Sequence, residues 1–400
     1  MTSALKKSLG KNVYDAAVER LEYVFLHFQK VYFSVSFGKD SSVMLHLAID
    51  VARRLGKLPV SVLFIDLEGQ YRETIRHAEE MMSREEVSGW WVCLPLTLRN
   101  AVSMHQPFWR CWDPKERHCW IRPLPTHRLV VFDPARFPFF RESMEFEEFI
   151  VDFGRWYSDG ASTACCVGIR CDESLNRFRT LANEAKERFA GLAWTTRIQD
   201  SLYNAYPIYD WRTEDVWSAV GKNGWSYNRI YDAMYMAGWS IHESRICQPY
   251  GDDQRRGLDL FHRCEPETWA KVVARVTGAN FGKIYVRSAL LGFRKMIKPP
   301  GHTWKSYTQF LLGTLPRYEM EWYLAKFKTF WKWWVKHYGI GENDAPDCAD
   351  PKIEAARKAP TWRRLARVIL TNDKIGRSIS FSQTKRQWEK YQEFREVYGE

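Results

Sequence analysis

The chain has 400 residues, 45% hydrophobic and 27% charged, with a net charge of +11. Those proportions belong to a folded globular protein of two or three domains and exclude a disordered or collagen-like build. No apolar run reaches the ~18–20 residues that a bilayer crossing needs, and residues 1–10 are basic rather than apolar. The expectation is a cytoplasmic protein with no export signal and no membrane partner.

Apolar residues recur at helical spacing over 12–28. The β-branched and aromatic run 31–36 predicts a buried strand ending in a glycine-bearing turn, and helical periodicity resumes over 41–55 until Gly56. A second strand is expected at 60–65, ending at Asp66, then a helix at 74–82 and a third strand at 90–94. Strand, helix, strand, helix, strand at these lengths predicts an α/β fold, a Rossmann-like parallel sheet with helices on both faces.

Residues 103–160 break that rhythm with proline, tryptophan and phenylalanine, and read as an irregular insertion over the sheet edge with a helix near 142–157. A core strand at 164–169, a helix from 172 to about 189 and a terminal strand near 204–208 follow. From Arg212 the pattern is mainly helical, with helices expected at 213–221, 227–237, 266–277, 304–312 and 319–337 and a polar linker at 339–360. The division expected is an α/β domain over 1–220 and a helical, tryptophan-rich, basic domain over 221–400.

Charge follows a different division. Residues 1–279 hold 36 Lys and Arg against 36 Asp and Glu, whereas residues 280–400 hold 23 against 12. Seven tryptophans (Trp304, Trp322, Trp331, Trp333, Trp334, Trp362, Trp388) share the basic segment. Such a segment is either a solubilising surface around a tryptophan core or a docking surface for a polyanion, DNA or RNA. The nine cysteines include no CxxC pair and no small-domain disulfide framework, which suits a reducing compartment. Cys111 and Cys119, with His118 beside the latter, and the adjacent Cys165 and Cys166 lack the close paired spacing of metal sites. Buried thiols and no iron–sulfur cluster are expected.

Chemistry concentrates in Ser34-Val35-Ser36-Phe37-Gly38-Lys39-Asp40-Ser41-Ser42. A turn between strand and helix aims backbone N–H groups and a helix N-terminus at one point, the arrangement that holds phosphate. Ser36, Ser41 and Ser42 add hydroxyl donors, and Ser34 and Gly38 complete the nucleotide-binding set. Lys39 adds a mobile positive charge, and Asp40 is a candidate Mg²⁺ ligand. A simple glycine-flanked helix cap would need neither Lys39 nor the further hydroxyls. The loop lacks the second glycine that a Walker loop places ahead of its Gly-Lys-Ser/Thr. Asp66, at a strand's carboxyl end, is placed to read adenine or ribose, or to shape the turn. Arg170, with Arg177 and Arg179 on the helix behind it, is a candidate clamp for phosphate or sulfate. Arg177 and Arg179 equally suit a solvated helix face. The catalytic candidates are Lys39, Asp40 and Arg170.

Ser36 to Ser41 resembles the SGGxDS pyrophosphate loop (PP-loop) of the adenine-nucleotide alpha hydrolase superfamily. Within it the chain most resembles the phosphoadenosine phosphosulfate (PAPS) reductase family. Three further segments agree in order: Ile65-Asp66 through Glu73-Thr74, Gly168-Ile169-Arg170-Cys171-Asp172-Glu173-Ser174, and Pro207-Ile208-Tyr209-Asp210-Trp211 with Asp215-Val216-Trp217. Beyond residue 220, the segments 245–258 and 265–269 resemble a long subgroup with a helical domain of unknown function after the PAPS-reductase-like domain. That subgroup includes the immunoglobulin-binding regulator A proteins, expression co-activators partnered by a ParB-like protein.

The resemblance implies an adenine-nucleotide site with ATP or PAPS as substrate. Lys39 makes the loop similar to members that cleave ATP between the α- and β-phosphates, where Mg²⁺ on Asp40 would assist. Phe37 stands where the loop's first glycine would, and the chain lacks the reductases' Glu-Cys-Gly-Leu-His tail. Three functions are therefore carried forward. The first is ATP cleavage with adenylyl transfer, the second a PAPS-dependent reductase or sulfur-transfer step using a partner's thiol. The third is a nucleotide-controlled regulator that acts with DNA or a ParB-like partner.

Overall fold

The computed structural model describes residues 10–100, 106–173, 177–178, 181, 186–251, 258–276, 298–315, 317–370, 373, 376 and 379. Two compact units emerge, one of residues 1–100 and 108–276, the other of residues 101–107 and 277–400.

The first unit is built on a seven-stranded sheet. Its strands are β1 (Lys30–Ser34), β2 (Val60–Ile65), β3 (Val87–Val92), β6 (Val130–Val131), β7 (Thr163–Val167), β8 (Thr195–Gln199) and β9 (Leu202–Ala205). The spatial order is β6-β3-β2-β1-β7-β9-β8. Every neighbouring pair is parallel except β8 against β9. The predicted α/β fold is therefore present, with one antiparallel edge hairpin that periodicity did not foretell. Strand β4 (Thr97–Arg99), just ahead of the expected insertion, pairs separately with β5 (Phe108–Arg110) inside it, and the insertion also supplies β6 to the main sheet. In β3, Gly89 adopts φ +132, and a Cβ there would fall 1.9 Å from the Val62 carbonyl oxygen of β2. Glycine is what lets these two strands pair.

Helices α1 (Val13–His27), α2 (Lys39–Leu55), α3 (Arg72–Met82), α4 (Phe146–Ser158), α5 (Thr213–Asn223), α6 (Ile230–Met236), α7 (Leu258–Cys264) and α8 (Pro266–Arg275) complete this unit. Helix α2 is apolar from Val43 to Ile49 save for His46, with Val43, Met44, Leu45, Leu47, Ala48 and Ile49 all buried. A helix of that composition belongs in the middle of a core, so its N-terminus is firmly placed. It ends at Gly56, whose φ of +64 forms a left-handed cap. Half of the helix expected from 172 to about 189 falls on residues outside those described, and at its expected end residues 186–188 are not helical and Phe189–Gly191 forms a short 3-10 turn.

From β1 the chain moves outward through β2, β3 and β6, then returns to the opposite side of β1 for β7 and β9. Connections at the carboxyl end of β1 thus diverge to opposite sides, and such a reversal opens a crevice where α/β sheets take their ligands.

The second unit contains α9 (Trp304–Gly313), α10 (Arg317–Tyr338), α11 (Pro351–Ala355) and α12 (Trp362–Leu370). Of the seven tryptophans, Trp304, Trp322, Trp331, Trp334 and Trp362 are buried, and Trp333 is 38% exposed. Trp388 lies outside the described residues. The expected linker carries the short α11. Lys326 enters the tryptophan core, its ammonium 5.0 Å from the Trp322 ring centroid, and burial pushes its pKa down to about 8. Among the described residues no helix is long and apolar enough to cross a membrane.

Candidate functional site

The turn between β1 and α2 is shaped by Phe37. Its φ of +54 lies in the left-handed region, where a bulky residue carries strain of about 1–3 kcal/mol. The ring offsets that strain by complete burial, meeting Phe64 edge-on at 4.8 Å between centroids and His77 at 5.9 Å. Phe37 therefore points into the core and does not line the cavity described below. Its carbonyl accepts from Asn228 Nδ2 at 3.0 Å. Gly38 is the N-cap of α2, and Ser41 Oγ donates to the Gly38 carbonyl at 3.2 Å while accepting from Ser36 N–H at 3.3 Å.

Two long-range contacts fix the first turn of α2. The Lys39 N–H donates to the Tyr231 hydroxyl at 3.0 Å. On the other side Gly168, just past β7, touches the helix backbone, so that a Cβ there would sit 2.9 Å from Ser41 Cα and 3.0 Å from Ser41 N.

The charged groups form one cluster. Lys39 is 4% exposed; its Nζ donates to the Ser244 carbonyl at 3.0 Å and lies 3.6 Å from Asp40 Oδ2. Burial pushes the Lys39 ammonium below its ordinary pKa, and Asp40 partly counters this. Asp40 Oδ1 accepts from Arg170 Nε at 2.6 Å. Arg170 is 2% exposed, and among the described residues nothing pairs with its Nη1. Glu173 lies between two arginines, with Arg177 Nε at 2.9 Å and Arg245 Nη2 at 2.7 Å. Four cations thus face two carboxylates, and the excess positive charge suits a polyanion.

A cavity of about 450 Å³ opens here, within the range of roughly 300–1,000 Å³ usual for small-molecule sites. Ser34, Ile65 and Val167, the last residues of β1, β2 and β7, form its base. The lining divides by chemistry into a polar set, Gly38, Lys39, Asp40, Ser41, Arg177 and Arg245, and an apolar set, Phe64, Ile65, Leu67, Phe146 and Ile150. A ligand with a planar apolar part and an anionic tail matches this division.

Most of the loop residues singled out from sequence converge here: Ser34, Ser36, Gly38, Lys39, Asp40, Ser41 and Arg177 line the cavity, and Arg170 backs it through Asp40. Two do not. Ser42 turns to the core, where its Oγ lies 2.9 Å from His77 Nε2. Asp66 is 1% exposed; it accepts from Trp91 Nε1 at 2.8 Å and pairs with Arg122, and its carbonyl accepts from Trp112 Nε1 at 2.7 Å. It organises the insertion and does not line the cavity. Arg179 lies outside the described residues.

Tyr231, Glu173, Gln70, Arg245, Cys247 and Gln248 line the cavity as well. The sequence hinted at the last three through the segment 245–258, read there as a loop reaching the site, although its polar centre 252–257 is outside the described residues. Nothing in the sequence marked Tyr231. Cys165 and Cys166 are buried in β7, where burial raises both thiols, Cys165 to about 12. Cys111 is also buried, and its Sγ donates to the Leu94 carbonyl at 3.4 Å. Among the described residues no three His, Cys, Asp or Glu side chains gather as a metal site.

Residues 30–237 match the phosphoadenosine phosphosulfate reductase domain, and residues 238–345 match a domain of unknown function, DUF3440. Over 399 residues the chain is 38% identical to the protein YbdN of Escherichia coli (strain K12), an alignment spanning 98% of this chain and 96% of that one. It is 23% identical over 217 residues to sulfate adenylyltransferase subunit 2 of Rhizobium meliloti (strain 1021), spanning 52% of this chain and 60% of that protein. The crystal structure of PAPS reductase from Candida auris, a phosphate complex, aligns with 62% of this chain and 98% of its own at 13% identity and a TM-score of 0.32.

Proposed function

The chain belongs to the phosphoadenosine phosphosulfate reductase family, and from that premise we propose that its cavity binds ATP and cleaves it between the α- and β-phosphates, passing the adenylyl group to an acceptor. The observation that carries this reading is the buried Lys39 at the N-terminus of α2, in a cavity that Phe64, Ile65 and Leu67 also line. The relative named sulfate adenylyltransferase subunit 2 supports the same class of chemistry.

In this reading the base lies against Phe64, Ile65 and Leu67, and the phosphates run toward α2. As the α–β bond breaks, negative charge builds on the departing pyrophosphate. Lys39, Arg177, Arg245 and the helix N-terminus are donors already in place, inside a site where low dielectric strengthens them. Phosphate would take Lys39 from the Ser244 carbonyl and restore the charge state that burial opposes. Arg170 is a positioning residue, holding Asp40 in the first turn. Asp40 does not fit a divalent cation, because its carboxylate already faces Arg170 and Lys39; the chain's own cations do the neutralising.

The test is pyrophosphate release from ATP by the full chain. Lys39→Ala is expected to lower the rate at least ~100-fold, the scale of losing one preorganised donor, with the melting temperature kept. Release at the wild-type rate would remove this loop from the chemistry. One observation favours a second reading, PAPS with a thiol acceptor: Cys247 lines the cavity. Adenosine 3′,5′-bisphosphate formed from PAPS and a thiol, without pyrophosphate from ATP, would select it.

A further inference from the structure

We infer that Gln70 is the residue that selects the base: its carboxamide recognises the amino edge of a 6-aminopurine, an inference that rests on the nucleotide reading above.

Gln70 sits in the turn between β2 and α3, and the rest of that turn is pinned. Asp66 accepts from the Glu68 N–H at 3.1 Å and from Trp91 Nε1 at 2.8 Å. Glu68, fully buried at φ +66, accepts from the Trp112 N–H at 2.7 Å, the Ile121 N–H at 3.0 Å and Arg275 Nε at 2.8 Å. Successive tight turns, Gly69 N–H to the Leu67 carbonyl at 2.7 Å and Gln70 N–H to the Glu68 carbonyl at 3.0 Å, carry the chain into Gln70. Gly69 packs so closely on Pro249 that a Cβ would meet it at 2.9 Å. Both carboxylates of the turn are thus satisfied several times over.

Gln70 is the exception. It lines the cavity and is 8% exposed, yet among the described residues its carboxamide oxygen has no donor. Tyr71 beside it also has an unpaired hydroxyl, but that side chain stacks on Phe261 at 3.7 Å and does not line the cavity. A buried amide that forgoes water without a protein partner loses its solvation for no return, unless something entering the cavity supplies the partner.

The chemistry of that partner follows from the group and its surroundings. A carboxamide offers an acceptor and a donor side by side. On its N6/N7 edge adenine presents the matching pair, the N6 amino donor beside the N7 acceptor, whereas the same edge of hypoxanthine and guanine presents two adjacent acceptors, O6 and N7. Phe64, Ile65 and Leu67 line the same cavity and supply the apolar surface against which a purine can lie. The cationic groups cluster around Asp40 and Glu173, where they take the phosphates and leave the base edge to Gln70.

Titration calorimetry on the full chain with ATP, ITP and inorganic tripolyphosphate, for wild type and Gln70→Leu, tests this. Wild type is expected to prefer ATP to ITP by about 10-fold, at the low end of what a bidentate amide contact discriminates. Gln70→Leu should erase that ratio by weakening ATP alone, leave tripolyphosphate unchanged, and melt no lower than wild type, since leucine needs no partner there. A wild type that binds both nucleotides equally, or a variant that keeps the preference, overturns the assignment while leaving the nucleotide site intact. No ATP binding by wild type overturns the nucleotide reading itself, and the base-reading role with it.

Discussion

Gly168→Ala is a perturbation confined to one methyl group at the floor of the cavity. The new Cβ would lie 2.9 Å from Ser41 Cα, 3.0 Å from Ser41 N and 3.2 Å from Asp40 C. All three are backbone atoms of the first turn of α2, so no side chain can swing aside. Ordinary contact requires a separation of roughly 3.5–4.0 Å, and the shift must come from β7 or from α2. Helix α2 is held by the Tyr231 hydroxyl on Lys39 N–H at 3.0 Å and by its buried apolar faces. Overpacking of this kind costs about 1–3 kcal/mol, visible as a lower urea midpoint with an unchanged slope. The same displacement misaligns Lys39 and Asp40, and ATP affinity should fall by about 10-fold or more. Wild-type urea midpoint together with wild-type affinity would show that the contact between β7 and α2 does not set the site.

Other consequences are equally open to measurement. Arg170→Met leaves Asp40 without its 2.6 Å partner in a mostly buried setting and should cost about 3 kcal/mol in urea unfolding; an unchanged midpoint would deny Arg170 its positioning role. Phe37→Ala should lose about 3–5 kcal/mol as a core truncation, and Phe37→Gly about 1 kcal/mol less than that, because glycine relaxes at φ +54; the reverse order would contradict the left-handed turn. Burial pushes the His77 imidazole down to about 4 from its ordinary 6.5. Between those values the unfolded chain binds the proton that the folded chain refuses, so this contribution is whole above pH 6.5. It falls away toward pH 4 by roughly 3 kcal/mol. Urea midpoints at pH 7 and pH 4.5 should differ less in His77→Gln than in wild type, and equal pH dependence would refute the assignment.

Much of the first unit was legible because its elements are strongly periodic and its turn residues stand at their ends. Strands at 31–36 and 60–65 and the helix between them are apolar runs closed by Gly38 and Gly56, and these lie where the structure has β1, α2 and β2. Strand β8 was hidden because its exposed Arg197 and Ile198 give no clean alternation; its place comes from pairing with β9. Phe37 showed in the sequence only as a departure from the loop's first glycine; its positive φ turns the ring into the core, a fact that only the backbone reveals. Asp66, at a strand end, was read as a contact to adenine or ribose or as a shaper of the turn; it accepts from the Glu68 N–H of that turn, and Trp91, Trp112 and Arg122, distant in sequence, take the rest of it. The union of Glu173 with Arg245 spans 72 residues, and no local spacing encodes such a pair. The tryptophans of the basic segment carried two meanings in composition, and packing made most of them core.

The decisive measurement is a crystal structure of the full chain with an ATP analogue whose α–β bridge is a methylene. Its phosphates should lie at the N-terminus of α2 within hydrogen-bonding distance of Lys39 Nζ, with Lys39 released from the Ser244 carbonyl and the purine against Phe64 and Leu67. Density for the analogue elsewhere, with Lys39 still on Ser244, would contradict the assignment of this cavity.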